Sequence, residues 1–144
     1  MQRREFIGNS CRACLLGAAG FLVPPWMGCS PAAFPVYKTP VTSRGLEVPI
    51  SLFDKSPLQF VRAHGSYFDI AVNRLADGTF QALLLQCTHQ ENQLTPTGDG
   101  YTCSLHGSRF DKNGEVLKGP AEHPLDRYKT RVENNLLIIQ TTNT

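Results

Sequence analysis

From Leu46 onward the apolar positions of this 144-residue chain alternate with polar ones in short runs, and no segment keeps a helical period over three turns. Glu47–Phe53, Leu58–Ala63 and Tyr67–Leu75 have the two-residue spacing of strands, and the last is rich in β-formers. Ala76-Asp77-Gly78-Thr79 is a hairpin signal leading into Phe80–Gln86, where consecutive Leu83-Leu84-Leu85 reads as buried. Lys112-Asn113-Gly114 joins the short runs around Phe110 and Val116, and Asn134-Asn135 joins Tyr128–Glu133 to Leu136–Thr141. The pattern predicts one small all-β domain, 46–144, without repeats. Its sheets should be antiparallel, because every connection is too short for a parallel crossover.

Upstream the pattern changes. Residues 30–45 hold three prolines and no apolar period, which predicts a tether. Residues 1–29 read as an export signal. Arg3-Arg4 with Phe6-Ile7 resembles the twin-arginine signature. The ten-residue apolar run Cys14–Val23, closed by Pro24-Pro25, has signal-peptide length and is too short to span a bilayer. An amphipathic helix packed on the domain is the competing reading, but the run has no polar face. Met27-Gly28-Cys29 resembles a lipobox, in which Cys29 would be acylated and become the new N-terminus. Trp26 stands where such motifs usually carry Leu, and cleavage near Ala32-Ala33 is the alternative. The Cys11/Cys14 pair lies inside the signal and reads as an accident of composition.

Charge excludes one class of partner. Of 14 basic and 12 acidic residues, Arg3, Arg4, Arg12 and Glu5 precede Cys29, so 11 of each sign remain beyond it. A neutral domain without a Lys/Arg cluster argues against nucleic acid.

Two motifs carry chemistry. Cys87-Thr88-His89 and Cys103-Ser104-Leu105-His106 are separated by thirteen residues, and each sits at or within a strand end. Beyond Cys29 these are the only cysteines, and each has a histidine within three residues. Two buried cysteines with unrelated histidines, or a disulfide in an exported protein, would leave that pairing unexplained. Thiolate and imidazole suit zinc or iron–sulfur. Structural zinc sites group like ligands, whereas here each loop mixes one of each, as a two-iron centre lying between two loops allows.

C-x-H followed by C-x-x-H-G-S-x-F-D resembles the Rieske family, and the likeness continues through Gly119-Pro120-Ala121, similar to that family's cluster-covering loop. The resemblance implies three stacked antiparallel sheets with a small cluster-binding subdomain at about 86–122. It also implies one [2Fe–2S] cluster per chain, held by Cys87, His89, Cys103 and His106. Around it would lie Gly107, where the backbone passes close, and Ser108, matching a serine that donates to a bridging sulfide. Phe110 replaces a donating tyrosine of higher-potential relatives; Leu105 would act as an apolar lid and Pro120 would cover the cluster. The cytochrome bc type has a further cysteine in each loop, forming a disulfide; Asn92 and Leu105 occupy those positions. One donor kept and one lost would set the potential between the ends of the roughly −150 to +300 mV Rieske range.

The function this implies is single-electron transfer by an exported, membrane-attached protein on the periplasmic side. It would be no enzyme alone, but a carrier or oxidoreductase subunit serving a redox partner protein, with no substrate pocket. Twin-arginine export suits it, because that route moves proteins already folded around a cofactor. A ferredoxin feeding an oxygenase and a zinc-binding structural module are the alternatives. A catalytic oxygenase would need further histidines and a carboxylate, and only His64 and His123 remain, both expected at the surface.

Overall fold

The computed structural model describes residues 34–141; the expected signal at 1–29 and residues 30–33 lie outside them. The strands are β1 (Val36–Thr39), β2 (Val41–Thr42), β3 (Gly45–Pro49), β4 (Leu58–Ala63), β5 (Ile70–Arg74) and β6 (Phe80–Leu84). They continue with β7 (Thr95–Pro96), β8 (Gly100–Thr102), β9 (Arg109–Asp111), β10 (Val116–Lys118), β11 (Arg127–Glu133) and β12 (Leu136–Gln140). An eight-stranded sheet runs β1-β4-β5-β6-β11-β12-β3-β2, and β10-β9-β8-β7 form a separate four-stranded sheet. Two of the three expected sheets are thus continuous. The long strand β11 joins them, pairing with β6 through Arg127 and Tyr128 and with β12 from Lys129 onward.

Period-two alternation decides which side chains enter which core. On β4, β5 and β6 the row Phe60, Ala71, Leu83 lies on one face. It packs with Leu85, Leu94, Tyr101 and Phe110 against the small sheet. The intervening Val61, Ile70, Val72 and Ala82 face the other way and pack with Leu46, Val48, Phe53, Leu137 and Ile139. The Leu83-Leu84-Leu85 run is explained by strands covered on both faces. The large sheet curls until its ends meet: the Thr39 hydroxyl of β1 donates to the Glu47 carbonyl of β3 at 3.1 Å.

Three expectations are corrected. Residues 34–45 are not a tether, because β1 and β2 lie there and β1 aligns with β4 from Val36↔Phe60 to Thr39↔Ala63. Pro35 and Pro40 flank β1, where a missing N–H does no harm to its ladder. The β1–β4 pair is parallel. Short connections exclude parallel pairing only between consecutive strands, and here β2, β3 and a 3-10 turn intervene. Finally, Glu47–Phe53 is not one strand. Pro49 ends β3, and Ile50–Asp54 form that 3-10 turn, whose three-residue period sends Ile50 and Phe53 into the same core.

Leu85→Ala should cost about 2–5 kcal/mol, since the fully buried side chain leaves a cavity between strand and small sheet. A chain beginning at Gly45 should melt below one beginning at Phe34, because it lacks β1; thermal melts of the three proteins check both expectations.

Candidate metal centre

Both motifs sit on hairpin tips of the same design. After β6 the chain turns back on itself, with Leu94 N–H donating to Leu85 O and Cys87 N–H donating to Asn92 O, both at 2.9 Å. Between β8 and β9, Cys103 N–H donates to Ser108 O at 2.8 Å and Gly107 N–H to Cys103 O at 3.0 Å. Each cysteine therefore anchors a turn by donating to the carbonyl five residues on, 87 to 92 and 103 to 108. Gly107 has φ +77°, which favours glycine. A Cβ there would meet no other protein atom, so its role among the described residues is conformational. Gly100 is different: a Cβ would fall 2.0 Å from the Phe110 carbonyl oxygen, so only glycine lets β8 and β9 close the hairpin behind the second tip.

The tips bring the four donors together as two pairs. Cys87 and Cys103 are buried free thiols, only 3% and 2% exposed, and lie against each other. His89 and His106 are exposed, with ring centroids 5.2 Å apart and planes at 88°. Burial pushes the Cys103 thiol up, but hydrogen bonds from the Leu105 and His106 backbones, the Asn92 amide and the Cys87 thiol outweigh it. The net direction is below the ordinary thiol value. Low thiol pKa favours the thiolate, which is the form that binds metal.

A third segment clasps both tips. Ala121 N–H donates to Ser108 Oγ at 3.0 Å, and Thr88 Oγ1 donates to the His123 carbonyl at 2.7 Å. Ser108 is fully buried, and accepting from Ala121 leaves its own proton to donate elsewhere. Pro120 is exposed on this segment, and Leu105 stands 57% exposed at the second tip. Phe110 is 1% exposed and belongs to the core beneath the cysteines, paired across the hairpin with Tyr101. His64 and His123 are exposed. Sequence reasoning missed Asn92 and Thr88 as contributors, since a polar residue in a turn leaves no periodic signal. Two open grooves accompany the site and the far side of the domain. One, of about 500 Å³, is lined by Cys87, Thr88, His89, Glu91, His123 and Asp126. The other, of about 460 Å³, lies between Leu58, Arg74, Tyr101 and Lys112.

Among the described residues no three His, Cys, Asp or Glu side chains converge on a single ion. An inner pair of sulfurs and an outer pair of imidazoles instead fits a two-iron centre, with N–H groups aimed at the sulfur side. Fold and donor set define a small all-β iron–sulfur domain.

Comparison with known proteins carries this further. Residues 40–129 match the model of the Rieske [2Fe-2S] domain. The cytochrome b6-f complex iron-sulfur subunit of Chlorobaculum thiosulfatiphilum is 33% identical over 72 residues, 49% of this chain and 39% of that protein. The same subunit of Synechococcus sp. (strain CC9605) is 29% identical, with 100% of this chain and 88% of that protein covered. The large oxygenase component of the naphthalene 1,2-dioxygenase system of Pseudomonas fluorescens is 34% identical over 74 residues, 49% of this chain and 16% of that protein. The chain thus spans less than half the length of the first and last of these relatives. The crystal structure of the plasma membrane Rieske protein from Synechocystis PCC 6803 shares the fold, with a TM-score of 0.53 at 24% identity over 65% of this chain and 95% of that one. The chain belongs to the Rieske [2Fe–2S] domain family, and its cofactor is a [2Fe–2S] cluster.

Ser108→Ala should lower stability by about 1–3 kcal/mol, because the buried Ala121 N–H loses its acceptor. Chemical denaturation of both proteins measures it.

Proposed function

We propose that this domain is a one-electron carrier in which Cys87 and Cys103 hold an inner iron and His89 and His106 an outer one. The observation that carries the reading is the depth of the two pairs: thiols buried, imidazoles exposed. When bound, the cluster accepts and releases one electron at a time. The chain's own residues do the rest. Buried sulfurs keep the inner side from water, and the exposed imidazoles bring the outer side to where a partner can approach. Leu105 and Pro120 supply an apolar rim beside them. Ser108 has a proton free to donate to cluster sulfur, while Phe110 has none to give, which supports a potential inside the Rieske range rather than at either end.

The same proposal places the domain on the periplasmic side of a membrane, exported by the Arg3-Arg4 signal and anchored by lipid on Cys29. Its support is the signal pattern, together with relatives that include cytochrome b6-f subunits and a plasma membrane Rieske protein. The partner is a redox protein. A second reading is a ferredoxin supplying electrons to an oxygenase; the export signal pattern speaks against it. Zinc is disfavoured because each motif mixes one Cys with one His, whereas structural zinc sites group like ligands.

Purified protein should contain two irons and two acid-labile sulfides per chain and give a Rieske electron paramagnetic resonance signal on reduction. Cys103→Ser should abolish both; a variant that keeps the full signal removes Cys103 from the ligand set. Cys29→Ser should shift the protein from membrane to soluble fractions, since the several acyl chains of a lipoprotein anchor firmly where one does not. Mature wild-type protein found soluble and beginning at residue 32 or later would contradict the anchor.

A further inference from the structure

The two tips carry no covalent link; Cys87 and Cys103 are free thiols. Besides the Cys87 thiol, an amide side chain reaches from the first to the second. Asn92 Nδ2 donates to Cys103 Sγ at 3.5 Å and to the Gln93 carbonyl at 3.1 Å. Both partners are acceptors, so the amide is oriented with its nitrogen toward the sulfur. The Asn92 backbone carbonyl meanwhile accepts from Cys87 N–H at 2.9 Å. A single residue thus holds the backbone of one cysteine and the sulfur of the other. The side chain is half-buried, where its bond to sulfur is only partly screened by water.

The geometry points to Asn92 as the residue that positions the two cysteines relative to each other and sets the electron affinity of the centre. This rests on the one-electron reading above and goes beyond it by naming the donor. The Leu105 and His106 backbone N–H groups also aim at Cys103 Sγ, but any residue at those positions supplies them. The Asn92 amide is the side-chain N–H in the set, and so the one that sequence can change. An N–H dipole beside a ligand sulfur gains from the electron density that reduction adds. Removing it lowers the midpoint potential. An isosteric carboxylate, which cannot donate and carries charge, lowers it further.

The test is voltammetry on intact wild type, Asn92→Leu and Asn92→Asp, each first assayed for iron and acid-labile sulfide. Both variants should retain the cluster with a lower midpoint, Asn92→Asp the lower of the two, and should release iron faster on heating. A merely structural role would change iron release and leave the midpoint in place. A variant with full iron and sulfide and an unmoved midpoint overturns the proposal. Wild type without iron or sulfide would instead overturn the one-electron reading. Should both variants lose the cluster, pulsed electron paramagnetic resonance of reduced wild type with isotopically labelled asparagine side-chain nitrogen decides. A coupled label supports Asn92, and no coupling overturns it.

Discussion

Strand β6 is covered on both faces, and the site depends on where that leaves its end. Leu83 and Leu85 point into one core while Ala82 points into the other, so a slip of one residue would exchange their environments. The register is therefore fixed, and with it the place where Cys87 emerges. The β8–β9 hairpin is pinned in the same way, by Tyr101 against Phe110 and by the glycine that lets the strands close. Apolar packing thereby brings the two loop tips to one place.

Packing alone would not set the loops finely enough for ligation, and here short polar contacts take over. Each tip is closed by its cysteine N–H, and the 119–125 segment is tied to one tip through Ser108 and to the other through Thr88. Asn92 closes the triangle between the two cysteines. These bonds lie around buried sulfurs, where losing an acceptor or donor costs more than it would at the surface. The Arg62–Asp69 pair extends the framework outward: Arg62 Nε donates to Asp69 at 2.6 Å, and Asp69 N–H donates to Gln93 beside Asn92. The first tip is thus braced from the large sheet.

Much of this was legible in the sequence, for physical reasons. The two Cys/His motifs stood out because few side chains can bind a metal and their spacing is short. β4, β5, β6, β11 and β12 were visible as alternation, and the Asn134-Asn135 turn as a residue pair that tolerates the positive φ both adopt. β1 was hidden because its partner, β4, lies beyond two other strands, and because prolines that end a strand resemble prolines that prevent one. The 3-10 turn was hidden because Ile50 and Phe53 are apolar in either conformation. Asn92 was read only as the absence of a cysteine. Its bond to Cys103 spans two loops, and a contact of that kind leaves no trace in local pattern.

The parallel pairing of β1 with β4 has a mechanical consequence. From Val36 to Thr39 the two strands run in the same direction, and β1 enters the sheet from the N-terminal side of the domain. A force drawn along the axis of β1 from that side shears the ladder, loading its hydrogen bonds together instead of opening them one by one. Tension arriving at the N-terminal side would meet the ladder in its stiffest direction, and through Arg62, the partner of Lys38, it would bear on the brace that holds the first tip.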